Sequence, residues 1–194
     1  MKGITREIRI GISLFAAIIV IVIIYITFVT VIAQVTMPEK ANGSLIYIDG
    51  KVVGSELIGQ SFTSPKYFHG RPSAVNYDGN NSGGSNLGPS SEELIKQVSQ
   101  RVEQVRKENS LAPDAPVPAD LVLTSGSGLD PDISIDSAML QVSRVASVRG
   151  LLESDITALV EQNVVYPQLG FLGQERVNVL KLNIALDELA QGEK

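Results

Sequence analysis

Residues 10–33 read IGISLFAAIIVIVIIYITFVTVIA, and this stretch decides the architecture of the chain. It carries no charged side chain. At a rise of about 1.5 Å per residue, a helix of this length crosses a hydrocarbon layer of roughly 30 Å with room for tilt. The many β-branched residues are no obstacle, because in lipid only a helix or a closed barrel pairs every backbone N–H and C=O. A barrel strand would be shorter and would alternate apolar with polar. A cleaved signal peptide is the alternative, but its apolar core runs about 7–15 residues. Its small-residue cleavage pattern is poorly matched around Ile32-Ala33-Gln34. The stretch therefore predicts one transmembrane helix.

The flanks set its orientation. Lys2, Arg6 and Arg9 precede it against Glu7 alone, and residues 34–38 carry no charge. Positive charge resists translocation. The expectation is a single-pass protein of the plasma or inner membrane. Residues 1–9 are cytoplasmic, residues 10–33 lie in the bilayer, and residues 34–194 lie outside the cell or in a periplasm. The last segment holds about 160 residues, enough for one domain with its own core. The chain's net charge is −5 and its first nine residues contribute +2, which leaves the exterior part near −7. An acidic exterior argues against nucleic acid and against an anionic lipid surface as partner. With no cysteine there is no disulfide, thiolate metal site or thiol nucleophile, and the single histidine, His69, excludes multi-histidine metal sites.

Beyond the anchor the pattern is mixed and predicts an α+β domain. Leu45, Ile46 and Ile48 lead into Asp49-Gly50, and Val52 and Val53 lead out, which reads as a hairpin. Residues 60–81 lack periodicity and hold Phe62, Tyr67, Phe68 and Tyr77, expected to pack against that hairpin or, as the alternative, to form a contact surface. Ser90 and Glu93 have capping-box spacing, and Leu94, Val98, Val102 and Val105 recur helically, which predicts a helix over 92–109. Pro113, Pro116 and Pro118 make a stiff connection. Residues 119–123 read as a short buried strand. Ser134 caps a helix over 135–149 that Gly150 ends, and a further helix spans 154–162. Residues 176–184 read as a closing strand with Leu180, Leu182 and Ile184 on one face, and the acidic tail from Asp187 as a short or frayed helix.

Two loops carry the candidate chemistry. Ser82, Gly83, Gly84, Ser85 and Asn86 open a glycine-rich loop before a helix, as phosphate-cradling loops do. It lacks the Lys-Ser/Thr ending of a P-loop and the glycine spacing of a dinucleotide fingerprint, so a turn and contact loop is the plainer reading. Ser125, Gly126, Ser127 and Gly128 let backbone N–H groups converge, with Asp130 adding a carboxylate. A hydrolase would take Ser127 as nucleophile, His69 as base and Asp130 as orienting acid. The glycines do not stand two before and two after either serine, as a nucleophile elbow requires. The alternative is a hydrogen-bonded turn presented to a partner. Asp130, Asp132 and Asp136 lack the alternation and closing glutamate of a calcium loop, and no metal site is assigned.

The motifs together resemble a known family, the C subunits of Kdp-type potassium-transporting P-type ATPases. The resemblance rests on the single N-terminal span, Gly59-Gln60-Ser61-Phe62 and Tyr67-Phe68-His69-Gly70-Arg71-Pro72-Ser73-Ala74. It continues through Ser82-Gly83-Gly84-Ser85-Asn86-Leu87-Gly88, Pro118-Ala119-Asp120-Leu121-Val122 and Ser125-Gly126-Ser127-Gly128-Leu129-Asp130-Pro131. Arg144-Val145-Ala146 and Arg176-Val177-Asn178-Val179-Leu180 complete it. Two positions depart from the family pattern: Asp132 stands where a histidine is common, and Ser91 where an asparagine is. The resemblance implies an accessory subunit that is no enzyme by itself. It implies partners: a channel-like potassium-binding subunit, a P-type ATPase catalytic subunit and, in some assemblies, a small single-span subunit. The complex would use ATP, Mg and K, with no cofactor bound directly by this chain. Roles proposed in the family are stabilising the complex, capping or gating the potassium entrance, and raising affinity for ATP. Contact candidates are then His69, Arg71, Asp130 and the two glycine-serine loops. Should the resemblance mislead, the alternatives are a tethered exterior solute-binding protein or the serine hydrolase above.

Overall fold

A computed structural model describes residues 2–192, which divide into two units, one ending at Leu45 and one beginning at Ile46. The first is helix α1 (Lys2–Thr36) followed by the single turn α2 (Pro38–Ala41). From Arg6 to Ile32 every residue of α1 is exposed. A helix apolar on all sides is not a surface for water; it requires lipid or another apolar protein. Among the described residues it is the one helix long and apolar enough to cross a membrane, over Arg6–Thr36. Those residues span about 46 Å at 1.5 Å each, longer than a hydrocarbon core.

A hairpin begins at the division: β1 (Leu45–Ile48) and β2 (Lys51–Ser55). Asp49 (φ +51°) and Gly50 (φ +74°) both take the left-handed region, as the expected tight turn demands. Helix α3 (Glu92–Glu108) follows the long irregular segment. The core lies further on. Helices α4 (Ile135–Arg149), α5 (Glu153–Gln162) and α6 (Val179–Gly192) pack with a three-stranded antiparallel sheet. Its order is β3 (Asp132–Ile133), β5 (Arg176–Asn178), β4 (Val164–Val165), with Val177 opposite both Ile133 and Val164. Phe68, Val145, Ile156, Val160, Val177, Leu182 and Leu186 are wholly buried there. The class is α+β, as expected.

Helix α4 keeps its predicted ends: the Ser134 hydroxyl accepts from the Ser137 N–H, and Gly150 turns left-handed at φ +70°. Four expectations are corrected. The cap of α3 is Ser91, not Ser90; its side chain accepts from the Leu94 N–H. Residues 119–121 form a 3-10 turn after Pro118 rather than a strand, with Leu121 and Val122 still buried. The closing strand ends at Asn178, whose carbonyl Oδ1 accepts from the Lys181 N–H and starts α6 directly. Alternation at Leu180, Leu182 and Ile184 resembled a strand, but the wholly buried Leu182 and Leu186, four residues apart, share a helical face. The aromatic residues also pack elsewhere. Phe68 enters the helical core, and Phe62 and Tyr67 pack against that core and meet each other edge to face, 5.5 Å between their ring centroids. The acidic end from Asp187 to Gly192 is the last turns of α6.

Candidate functional site

The two glycine-serine loops meet. The Gly83 N–H donates to the Ser127 carbonyl at 2.8 Å, and the Ser82 hydroxyl reaches the same oxygen at 3.1 Å. The Thr124 hydroxyl donates to the Ser85 hydroxyl at 3.2 Å. Such an approach requires glycine at Gly128, which sits at φ +67°; a Cβ there would stand 2.6 Å from the Gly83 carbonyl oxygen. Ser73 fastens the pair from behind. Its hydroxyl donates to the Gly128 carbonyl at 2.6 Å and accepts from the Val75 and Tyr77 N–H groups. Tyr77 closes the circuit by donating to the Arg71 carbonyl. Burial first, and then the nearby Asp130 charge, push the Tyr77 phenol up, which keeps it a donor.

Arg71 and Asp130 form an ion pair at 2.9 Å beside these loops. Asp132 pairs with Arg176 at 2.8 Å. Burial raises the Asp132 carboxyl above its usual range although Arg176 opposes the shift. Both carboxylates therefore share their charge with a guanidinium, which weakens the negative field that residues 130–136 would otherwise cast. With Asp120 and Ser134 they line an open cleft of about 460 Å³.

The residues of the hydrolase reading are not brought together. The Ser127 hydroxyl accepts from the Leu129 N–H. Asp130 faces Arg71. The His69 ring lies between the Ser64 carbonyl (3.1 Å from Nε2) and Glu108 (3.6 Å from Nδ1). Burial, and next the Arg144 charge, lower the His69 pKa, so the neutral ring is favoured. Nor is the loop at 82–88 arranged for an anion. The first turn of α3 carries Glu92 and Glu93, and the Ser91 hydroxyl already occupies one of its free N–H groups. Among the described residues, no three of His, Cys, Asp and Glu converge as metal ligands.

What the arrangement offers is a stiff polar surface. Asn86, Gly126 and Ser127 are exposed, while Ser125 is buried and anchored by its N–H to the Pro72 carbonyl. The support behind it was missed from sequence. Arg144 donates to the carbonyls of Pro65 and Tyr67, to Asn109 Oδ1 and to Gln141 Oε1. Asn183 binds both backbone groups of Phe68, and Gln141 both those of His69. The available signal was three long polar side chains, Gln141, Arg144 and Asn183, on otherwise apolar helix faces.

Comparison with known proteins agrees on one family. The family model described as "KdpC: K+-transporting ATPase, c chain" matches residues 8–188. A curated relative from Nitratidesulfovibrio vulgaris, named potassium-transporting ATPase KdpC subunit, is 52% identical over 173 residues, 87% of this chain and 86% of its own. One of the same name from Caulobacter vibrioides is 56% identical over 162 residues, 82% and 81% of the two chains. Another, from Dechloromonas aromatica, is 49% identical over 197 residues, 98% of this chain and 100% of its own.

Proposed function

Because this chain belongs to the family of K+-transporting ATPase C chains, we propose that it is the accessory, non-catalytic subunit of a high-affinity, ATP-driven potassium uptake pump. The observation that carries this is the family match, which runs unbroken from α1 into α6. Its partners in this reading are a channel-like subunit that binds potassium and a P-type ATPase subunit that performs catalysis; a small single-span subunit completes some assemblies. ATP, Mg and K are used by the complex, and this chain binds no cofactor directly. Helix α1 lies in the bilayer with its N-terminus in the cytoplasm and its apolar surface against lipid and the channel-like subunit. The second unit lies outside and caps or gates the potassium entrance.

The loops at 82–86 and 125–130, with Arg71 beside them, are the surface we assign to partner contact. Their mutual hydrogen bonds fix them before binding, so little further ordering entropy opposes association. His69, turned toward Glu108 and Ser64, serves that surface as support. The test is a pull-down in mild detergent from potassium-starved cells, with a tag placed after Lys194. Co-elution of a channel-like subunit and a P-type ATPase, with potassium-stimulated ATPase activity, is expected. Elution alone, from cells shown to contain those subunits, would overturn the reading.

A further inference from the structure

The segment between β4 and β5 breaks two rules at once. From Val164 to Gln174 it holds eleven residues without a charge, on a chain of net charge −5. Its tip is a folded turn, closed by the reciprocal backbone bonds of Gln168 and Leu172 at 3.0 and 2.9 Å. Yet its large side chains face outward: Leu169 is 82% exposed, Phe171 72%, Tyr166 65% and Leu172 50%. Leu169 also takes φ +55°, a conformation suited to glycine or asparagine. Folding alone would favour a small polar residue there. A leucine disfavoured by both backbone and solvent points to a contact made outside the chain.

We propose that residues 166–172 are a docking finger that inserts into an uncharged apolar groove on another subunit of the complex. The four side chains expose on the order of 600 Å² of mostly apolar surface, at the top of what a monomer leaves uncovered. That is most of the roughly 800 Å² that each partner contributes to a standard interface. The finger is neutral on an acidic molecule, so its complement is an apolar surface rather than a basic one, and an anionic bilayer would repel the domain that carries it. The turn is already hydrogen-bonded, so insertion orders side chains only. The proposal rests on the accessory-subunit reading and adds a second, apolar docking element to the polar loop surface.

The experiment uses the full chain in native membranes with its partner subunits. A photo-crosslinking residue is placed by Phe171→p-benzoylphenylalanine, and the partners are recovered on the tag after Lys194. Irradiation is expected to give one product with the mass of this chain plus one other subunit. Adding Leu169→Asn, which suits the left-handed backbone and so preserves the fold, should weaken that contact about thirtyfold. It should leave the thermal midpoint of the detergent-solubilised chain unchanged or higher. A product of two copies of this chain, lipid adducts alone, or no product although the partners co-elute would each overturn the finger. Failure of the partners to co-elute with the unaltered chain would instead overturn the underlying reading.

Discussion

Arg144 shows how one side chain organises a segment without periodicity. Its side chain is largely buried and satisfies two backbone carbonyls and two side-chain oxygens, those of Asn109 and Gln141 being buried with it. Arg144→Leu would strand these acceptors and should cost about 3–5 kcal/mol. Urea unfolding in detergent measures the loss, and limited proteolysis should then cut first within residues 60–81. Asp120 contributes to the acid limb of stability. Burial works to raise its pKa, but hydrogen bonds from the Ser134 N–H and the Ser137 and Ser134 hydroxyls outweigh burial and hold it below the usual range. The folded state then binds this proton less readily than the unfolded chain. Its stabilisation is complete above the ordinary carboxyl range and is lost as pH falls through the lower folded value. Asp120→Asn should flatten that acid-induced loss, followed by circular dichroism.

Among the elements, those legible in the sequence had their signals within one turn of chain. Ser134 and Gly150 bound α4, and Asp49-Gly50 makes the hairpin turn, through purely local hydrogen bonding and φ preference. The strands that the sequence did not announce were short ones defined by distant partners. Val164-Val165 and Asp132-Ile133 become strands only because Arg176–Asn178 lies between them. The loop pair was legible as composition but not as a meeting, since nothing in the sequence says that Gly83 reaches Ser127. That meeting predicts a contrast between two neighbouring glycines. Gly126→Ala adds a Cβ with nothing within 4 Å and should be nearly silent. Gly128→Ala forces a left-handed alanine against Gly83 and Val75 and should destabilise by about 2 kcal/mol or more. Thermal midpoints of the two variants decide the point.

For the whole molecule, the central part of α1, residues 10–33, was legible as an apolar run, because length and absence of charge suffice, while its charged first turns extend the helix back to Lys2. The lack of cysteine makes its orientation directly measurable, since any introduced thiol is unique. Ser127→Cys in intact cells should react with a membrane-impermeant maleimide, whereas Thr5→Cys should react only after permeabilisation. The reverse pattern would place the second unit in the cytoplasm. Helix α3 carries a further consequence. None of its residues is buried, and it is tied down by Arg101 to the Val122 carbonyl, Arg106 to the Ala115 carbonyl, and Asn109 to Arg144. Helix α4 has seven buried residues. The two should therefore belong to different cooperative units in hydrogen exchange. Amides of α3 would exchange by opening of that helix alone, at rates insensitive to Ile156→Val in the core. Amides of α4 would wait for global unfolding and speed up with every kilocalorie the core loses.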